Sequence, residues 1–197
     1  MSAPLFQSDV LFSQRLFAVA GYYTGELDGS WGPKTQMAED AWNEFYAKTQ
    51  AQYGLLLPGT ETVIQTLLPV AQVAARKFMA ISMSFPGMVK LLSGTRTYSE
   101  QDGLFNKRPQ VTKARGGQSN HNFGIAWDCG IFGSNGAYYT GATAKEEKAY
   151  ADLAKLVKAK VPGIEWGGDW VSFKDAPHYQ LATGRSVSAC RALLEAG

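Results

Sequence analysis

Residues 119–128 have the sequence SNHNFGIAWD, in which a histidine and an aspartate flank a glycine ahead of an apolar segment. The chain contains 2 histidines, and the other one, His178, lies in the polar segment DAPHYQ at residues 175–180. Two imidazoles and one carboxylate can hold a zinc ion and leave a fourth coordination position for water. A further carboxylate nearby can then take a proton from that water. Together the two segments predict a zinc hydrolase.

The spacing within each segment limits how these side chains can meet. His121 and Asp128 lie on opposite faces if they share one unbroken strand, because their separation is odd. Gly124 can relieve this by allowing a bend or a bulge between them. The proline between Asp175 and His178 disfavours a helix, so a tight extended turn is predicted there. The alternative is that the two histidines are unrelated, one in the core and one at the surface.

Composition narrows the class of protein. A chain of 197 residues forms one medium domain or two small ones, and a net charge of +2 with a pI of about 8.5 does not indicate a nucleic-acid-binding stripe. Residues 1–14 lack the basic start and apolar core of a secretory signal, and no apolar run is long enough for a membrane span. Cys129 and Cys190 are too few for a disulfide framework and are predicted to be buried hydrophobic residues.

Hydrophobic periodicity and turn residues predict an α+β fold. A small all-helical module is expected at residues 1–58, followed by a domain at 59–197 with a small antiparallel sheet and flanking helices. His178 and Gln180 are predicted to share one strand face. Helical structure is predicted over residues 9–20, from Pro33 onward, and over 60–83, 99–106 and 145–160, with a short apolar-periodic stretch at 188–194. The predicted strands are a buried strand at 89–92, a central strand at 124–132, and further strands at 165–173 and 178–182.

The N-terminal segment resembles a known repeat. The sequences GYYTG at 21–25, DG at 28–29 and WGPKT at 31–35 resemble the repeat of small helical peptidoglycan-binding domains, over about residues 8–46. The resemblance implies a module that binds cell wall. The alternative is a helical packing module that has lost its ligand, because the pattern consists mainly of turn glycines and a helix-starting proline.

The second half resembles a family of zinc peptidases, over about residues 88–182. Four motifs occur in the order of the D-alanyl-D-alanine carboxypeptidase and L-alanyl-D-glutamate endopeptidase family, and the likeness is to its phage endolysin branch. The motifs are SGTRTY at 93–98, SxHxxGxAxD at 119–128, WGGDW at 166–170 and DxxH at 175–178.

The resemblance assigns roles to individual residues. It implies a zinc site made of His121, Asp128 and His178. Asp175 would be the general base and later the proton donor, and Arg96 would bind and polarise the scissile carbonyl or a substrate carboxylate. Ser119 would line the substrate pocket or lie behind the zinc ligands. The resemblance also implies that an aspartate at position 175 favours the endopeptidase branch. Apart from the resemblance, Glu165 and Asp169 are alternative bases, although the position of Asp169 between glycine and tryptophan favours a structural hydrogen-bonding role.

These features predict a zinc-dependent peptidoglycan hydrolase that cuts the stem peptide, at the L-alanyl-D-glutamate bond. The alternatives are a D-alanyl-D-alanine carboxypeptidase or endopeptidase, and a non-catalytic wall-binding protein with a structural zinc. We expect a monomer whose partner is bacterial peptidoglycan, without nucleic acid and without stable membrane insertion. We expect synthesis in the cytoplasm without a signal peptide and release by a holin-like lesion or a secretion system, which the sequence does not distinguish.

Overall fold

The computed structural model describes residues 6–109 and 111–197. Four helices precede the sheet: α1 (Gln7–Val19), α2 (Pro33–Tyr53), α3 (Pro58–Gln65) and α4 (Pro69–Ser82). The sheet strands are β1 (Met88–Ser93), β2 (Ala126–Phe132), β3 (Ile164–Trp166) and β4 (His178–Leu181). The remaining helices are α5 (Tyr98–Asn106), α6 (Ala144–Lys158) and α7 (Val187–Ala196), with 3-10 turns at Asn120–Phe123 and Gly167–Asp169.

The four strands form one antiparallel sheet in the order β1-β2-β4-β3. Helices flank this sheet, so the predicted α+β class is confirmed. In the register of β2 and β4, Asp128 lies opposite His178. The next residue along β2, Cys129, points to the other face and is fully buried in the core, where Cys190 is buried as well.

Proline divides the helical segment that follows the N-terminal module. Residues 60–83 are helical as predicted except at a break, because α3 ends at Gln65 and α4 begins at Pro69. Proline cannot donate the backbone hydrogen bond that would continue a helix, but it fits the first turn of a new one. In the break between the two helices, the N–H of Leu68 donates to the carbonyl of Gly124, at 2.9 Å, and not to a helical carbonyl. This bond attaches the start of α4 to the segment that carries His121.

Three strand predictions also need correction. The strand predicted over 165–173 ends at Trp166, because a 3-10 turn follows and the N–H of Asp175 donates to the carbonyl of Gly167 at 3.0 Å. The strand predicted from residue 124 begins at Ala126. The strand predicted as buried, β1, is at the edge of the sheet, and only its residues Val89 and Leu91 are buried.

The N-terminal helices share a core with the rest of the described chain. One hydrophobic cluster includes Phe17 and Trp42 from α1 and α2 together with Phe78 from α4. The indole N–H of Trp42 donates to the carbonyl of Gln65, at 2.7 Å. The domain boundary at residue 58 stays a prediction, but buried contacts cross it. Among the described helices, none has the combination of length and apolar character that crossing a membrane requires.

Candidate metal centre

Three donor atoms from separate parts of the chain converge at the end of the sheet. Nε2 of His121 lies 3.1 Å from Nδ1 of His178 and 3.2 Å from Oδ1 of Asp128. Nδ1 of His178 lies 3.3 Å from the same Oδ1 atom. Both rings are buried, and the carboxylate is partly exposed. The structure thus brings together the three side chains that the sequence singled out as metal ligands.

Local backbone geometry resolves the odd spacing of His121 and Asp128. His121 lies in the 3-10 turn rather than on a strand, and Gly124 ends this turn in the left-handed region, with φ of +68°. The chain then reverses into β2, which presents Asp128. A Cβ at position 124 would lie 2.9 Å from Cγ of Leu68, so this site needs glycine for space as well as for conformation.

Hydrogen bonds on the outer side of each ring leave the inner nitrogens free to bind a cation. Nδ1–H of His121 donates to the carbonyl of Gly94 at 2.7 Å, and Nε2–H of His178 donates to Oε1 of Gln180 at 3.0 Å. A neutral imidazole carries one proton, so the lone pairs of the other two nitrogens face each other and the carboxylate of Asp128. Tetrahedral zinc with nitrogen and oxygen ligands needs donor atoms roughly 3.3 Å apart. The donor set therefore fits zinc.

Arg96 lies against the carboxylate of Asp128. Its Nη2 donates to Oδ2 of Asp128 at 2.5 Å, while Nε and Nη1 donate to Ser93 Oγ at 3.0 Å and Gln101 Oε1 at 3.2 Å. This arrangement leaves Oδ1 of Asp128 for a cation. Burial would raise the pKa of Asp128, but positive charge on the imidazoles of His121 and His178, and hydrogen bonds from them when they are protonated, hold it well below its usual range. A direct role of Arg96 toward substrate stays a prediction.

Asp175 borders the same cavity, which has a volume of about 680 Å³ and is also lined by the three donor residues. Its half-buried carboxylate makes no hydrogen bond or ion pair within residues 6–109 and 111–197. Burial, and then the charge of Asp128, raise the pKa of this carboxyl. The loop is held by the indole N–H of Trp166, which donates to the carbonyl of Ala176 at 2.7 Å. A Cβ at Gly167 would lie 2.5 Å from the carbonyl oxygen of Asp175, so glycine permits this close approach.

Positively charged, negatively charged and aromatic side chains form the cavity wall. Ser119 lies on it and caps the 3-10 turn, with its Oγ accepting from the N–H of His121 at 3.4 Å. The ring of Trp170 lies 5.0 Å from that of His178. Lys113 lies over the ring of Phe173 at 5.2 Å, which joins the loops on two sides of the cavity. A cavity of this size accommodates a peptide-sized ligand.

Two hydrogen-bond acceptors behind the histidines were not predicted as site residues. The carbonyl of Gly94 carries no side-chain signal, and only the tertiary structure places it beside His121. Gln180 could have been found, because its spacing of 2 from His178 puts both side chains on one face of a strand.

The fold and the centre define a class, an α+β domain with two histidines and a carboxylate around one cation site. Residues 112–181 match the family model described as D-alanyl-D-alanine carboxypeptidase. The resemblance to this family that the sequence predicts is confirmed over the matched residues. The endolysin branch stays a prediction.

Two known proteins resemble this chain, one in sequence and one in fold. The chain is 38% identical over 104 residues to the peptidoglycan L-alanyl-D-glutamate endopeptidase CwlK of Bacillus subtilis, a match that covers 47% of this chain and 60% of that protein. The crystal structure of the L-Ala D-Glu endopeptidase ChiX of Serratia marcescens superposes with a TM-score of 0.50 at 21% identity, covering 64% of this chain and 88% of that one. That second likeness shows the fold. The chain thus spans 60% of the length of this curated relative.

Proposed function

We propose that this protein is a peptidoglycan hydrolase, a zinc-dependent endopeptidase that cleaves the stem peptide at the L-alanyl-D-glutamate bond. The observation that carries the proposal is the triangle of donor atoms with sides of 3.1–3.3 Å, beside an unengaged carboxylate in one cavity. The name and activity of the Bacillus subtilis relative support the substrate and the bond.

Each side chain of the site has a separate role in the proposed hydrolysis. His121, Asp128 and His178 would hold zinc, which when bound acidifies a water molecule and polarises the scissile carbonyl. Asp175 takes the proton of the attacking water and returns it to the leaving amine. Arg96 fixes the rotamer of Asp128 through the bond to Oδ2, so that Oδ1 faces the imidazoles.

The number of donors favours a catalytic centre over a structural one. Structural zinc sites are normally closed by four protein ligands, whereas catalytic sites keep one position open. In the part of the chain that the structure describes, the candidate group of histidine, cysteine and carboxylate ligands has three members, His121, Asp128 and His178. This supports the enzyme over a non-catalytic wall-binding protein with a structural zinc.

The test combines metal analysis with product analysis. Purified protein should contain about one zinc per chain by elemental analysis, and the His178→Ala variant should lose it. Mass spectrometry of digested peptidoglycan should show new fragments that begin with D-glutamate after loss of L-alanine. Wall digestion without such termini, by protein with full zinc content, contradicts the proposed bond.

A D-alanyl-D-alanine carboxypeptidase is the second candidate, favoured by the description of the matching family model. The two candidates differ in what leaves the stem peptide. Release of free D-alanine in the same digest would establish the second candidate, and release of fragments cut after L-alanine would establish the first.

We also propose that the N-terminal module anchors the enzyme to the wall, in the manner of an endolysin. Buried Gln14 orders the loop that resembles the wall-binding repeat, because its Nε2 donates to Asp28 Oδ1 at 2.9 Å and its Oε1 accepts from the N–H of Gly29 at 2.9 Å. Full-length Asp175→Asn should co-sediment with intact walls even when soluble stem peptides saturate the active site. Complete displacement by those peptides would contradict anchoring.

A further inference from the structure

Behind His178, a chain of hydrogen bonds runs away from the metal centre across the sheet. Oε1 of Gln180 accepts from Nε2–H of His178 at 3.0 Å and from Nδ2–H of Asn120 at 2.7 Å. Nε2 of Gln180 donates to Oε2 of Glu165 at 2.7 Å. Gln180 is buried, and Glu165 lies on β3 at the exposed edge of the sheet.

Sheet register makes this chain of contacts possible. His178 and Gln180 are two residues apart along β4, so their side chains point to the same face of the sheet. In the neighbouring strand β2, Asp128 lies opposite His178. On the other side of β4, Gln180 lies opposite Glu165 of β3. Directly opposed residues in an antiparallel pair bring their side chains into contact. Strand β3 thus places the carboxylate of Glu165 against the amide of Gln180, on the side away from His178.

The orientation of this amide decides which nitrogen of His178 carries the proton. With Oε1 toward the ring, Nε2 must donate, and Nδ1 is left bare toward Asp128 and His121. With the amide turned over, its NH₂ group would face Nε2, and the ring proton would move to Nδ1, where it blocks metal binding. A carboxylate can only accept hydrogen bonds when ionised, so Glu165 holds the NH₂ group of Gln180 on its own side.

We propose that Glu165 is a positioning residue, which acts through Gln180 to hold His178 as the Nε2–H tautomer and keep Nδ1 ready for the metal. The zinc part rests on the proposed function, whereas the tautomer is a property of the metal-free protein. Partners of this kind, which orient a metal-binding histidine, change metal affinity by about 10- to 100-fold when removed.

The tautomer can be measured directly because the chain has 2 histidines. Protein labelled with ¹⁵N in histidine, stripped of metal and held at alkaline pH, gives long-range ¹H–¹⁵N correlation spectra with two ring systems. We expect His178 of the unaltered protein to be protonated at Nε2. In Glu165→Ala we expect a mixture of tautomers, and a zinc dissociation constant raised about 10- to 100-fold in competition with a chromogenic chelator.

Two further variants separate positioning from a merely structural effect. Glu44→Ala removes an exposed carboxylate on α2 whose ion-pair partner is Lys48, and it should change neither readout. The exchange Glu165→Gln/Gln180→Glu reverses the direction of one hydrogen bond but keeps an acceptor toward His178, so it should restore the Nε2–H tautomer.

An unchanged tautomer in Glu165→Ala overturns the proposal, whether or not zinc affinity falls. Failure of the exchange variant to restore the tautomer, in protein that remains folded by circular dichroism, overturns it as well. Neither measurement uses peptide cleavage, so an inactive protein would refute the proposed function and leave this test intact.

Discussion

The replacement Arg76→Met should destabilise the protein more than any surface charge change. The guanidinium of Arg76 is fully buried and donates to both carboxylate oxygens of Glu61, at 3.2 and 2.8 Å, and to Thr49 Oγ1 at 3.0 Å. Glu61 also accepts from the N–H of Leu56 and the hydroxyl of Tyr46, each at 2.8 Å. The cluster joins α2 to α3 and α4, across the predicted domain boundary.

The size of the effect follows from what remains after the substitution. Removing one partner of a buried ion pair costs about 3–5 kcal/mol, because the other charge stays buried without compensation. Leu56 and Tyr46 still donate to Glu61, so we expect the lower end, about 3 kcal/mol. The double variant Arg76→Met/Glu61→Gln leaves no uncompensated charge, so its free energy of unfolding should fall by less than that of the single variant Arg76→Met.

Urea unfolding at pH 7, followed by tryptophan fluorescence and circular dichroism, measures these free energies. The matched control is Lys48→Met, which breaks the exposed pair between Lys48 and Glu44 and should cost less than about 1 kcal/mol. If Arg76→Met cost no more than this control, the argument from buried charge would be refuted. Because the cluster spans three helices, both probes should report one transition; two separate transitions would show that the N-terminal helices unfold independently.

Three further outcomes are expected. Asp175→Asn should retain zinc by elemental analysis but lose turnover about 100-fold or more, and loss of zinc would instead make Asp175 a ligand. Gly124→Ala should lower the free energy of unfolding by about 1–2 kcal/mol, measured by urea unfolding, because φ is +68° and the new Cβ meets the side chain of Leu68 at 2.9 Å. A variant as stable as the unaltered protein would refute this. Burial raises the pKa of Glu61, but hydrogen bonds from Arg76 outweigh burial and lower this pKa below 4.5. Ionised Glu61 therefore stabilises the folded protein fully above pH 4.5, and this stabilisation is lost as pH falls through the lower pKa of the folded state. The pH dependence of the urea midpoint should therefore weaken in Glu61→Gln, and an unchanged profile would contradict the assignment.

Local sequence signals were sufficient for most of the fold. Periodicity located the helices, and alternation with turn residues located β1, β2 and β4 to within a few residues. Two of the errors lie where a tertiary hydrogen bond competes with a local pattern. Leu68 donates to Gly124 instead of continuing a helix, and the carbonyl of Gly167 accepts from Asp175 instead of extending β3. Neither bond could be foreseen, because its acceptor is distant in sequence or lies in a turn of unpredicted geometry.

By itself the sequence determined the chemical inventory of the centre: two imidazoles, a carboxylate on a strand, and a second carboxylate before a proline. It also determined the resemblance of residues 112–181 to a peptidase family. The tertiary structure decided that His121 and His178, 57 residues apart, meet at 3.1 Å, and that Arg96 engages Asp128. It also decided which ring nitrogens face inward, through Gly94 and Gln180. The physical reason is that residue types fix which bonds a side chain can make, whereas strand register and loop closure fix which partner lies within reach.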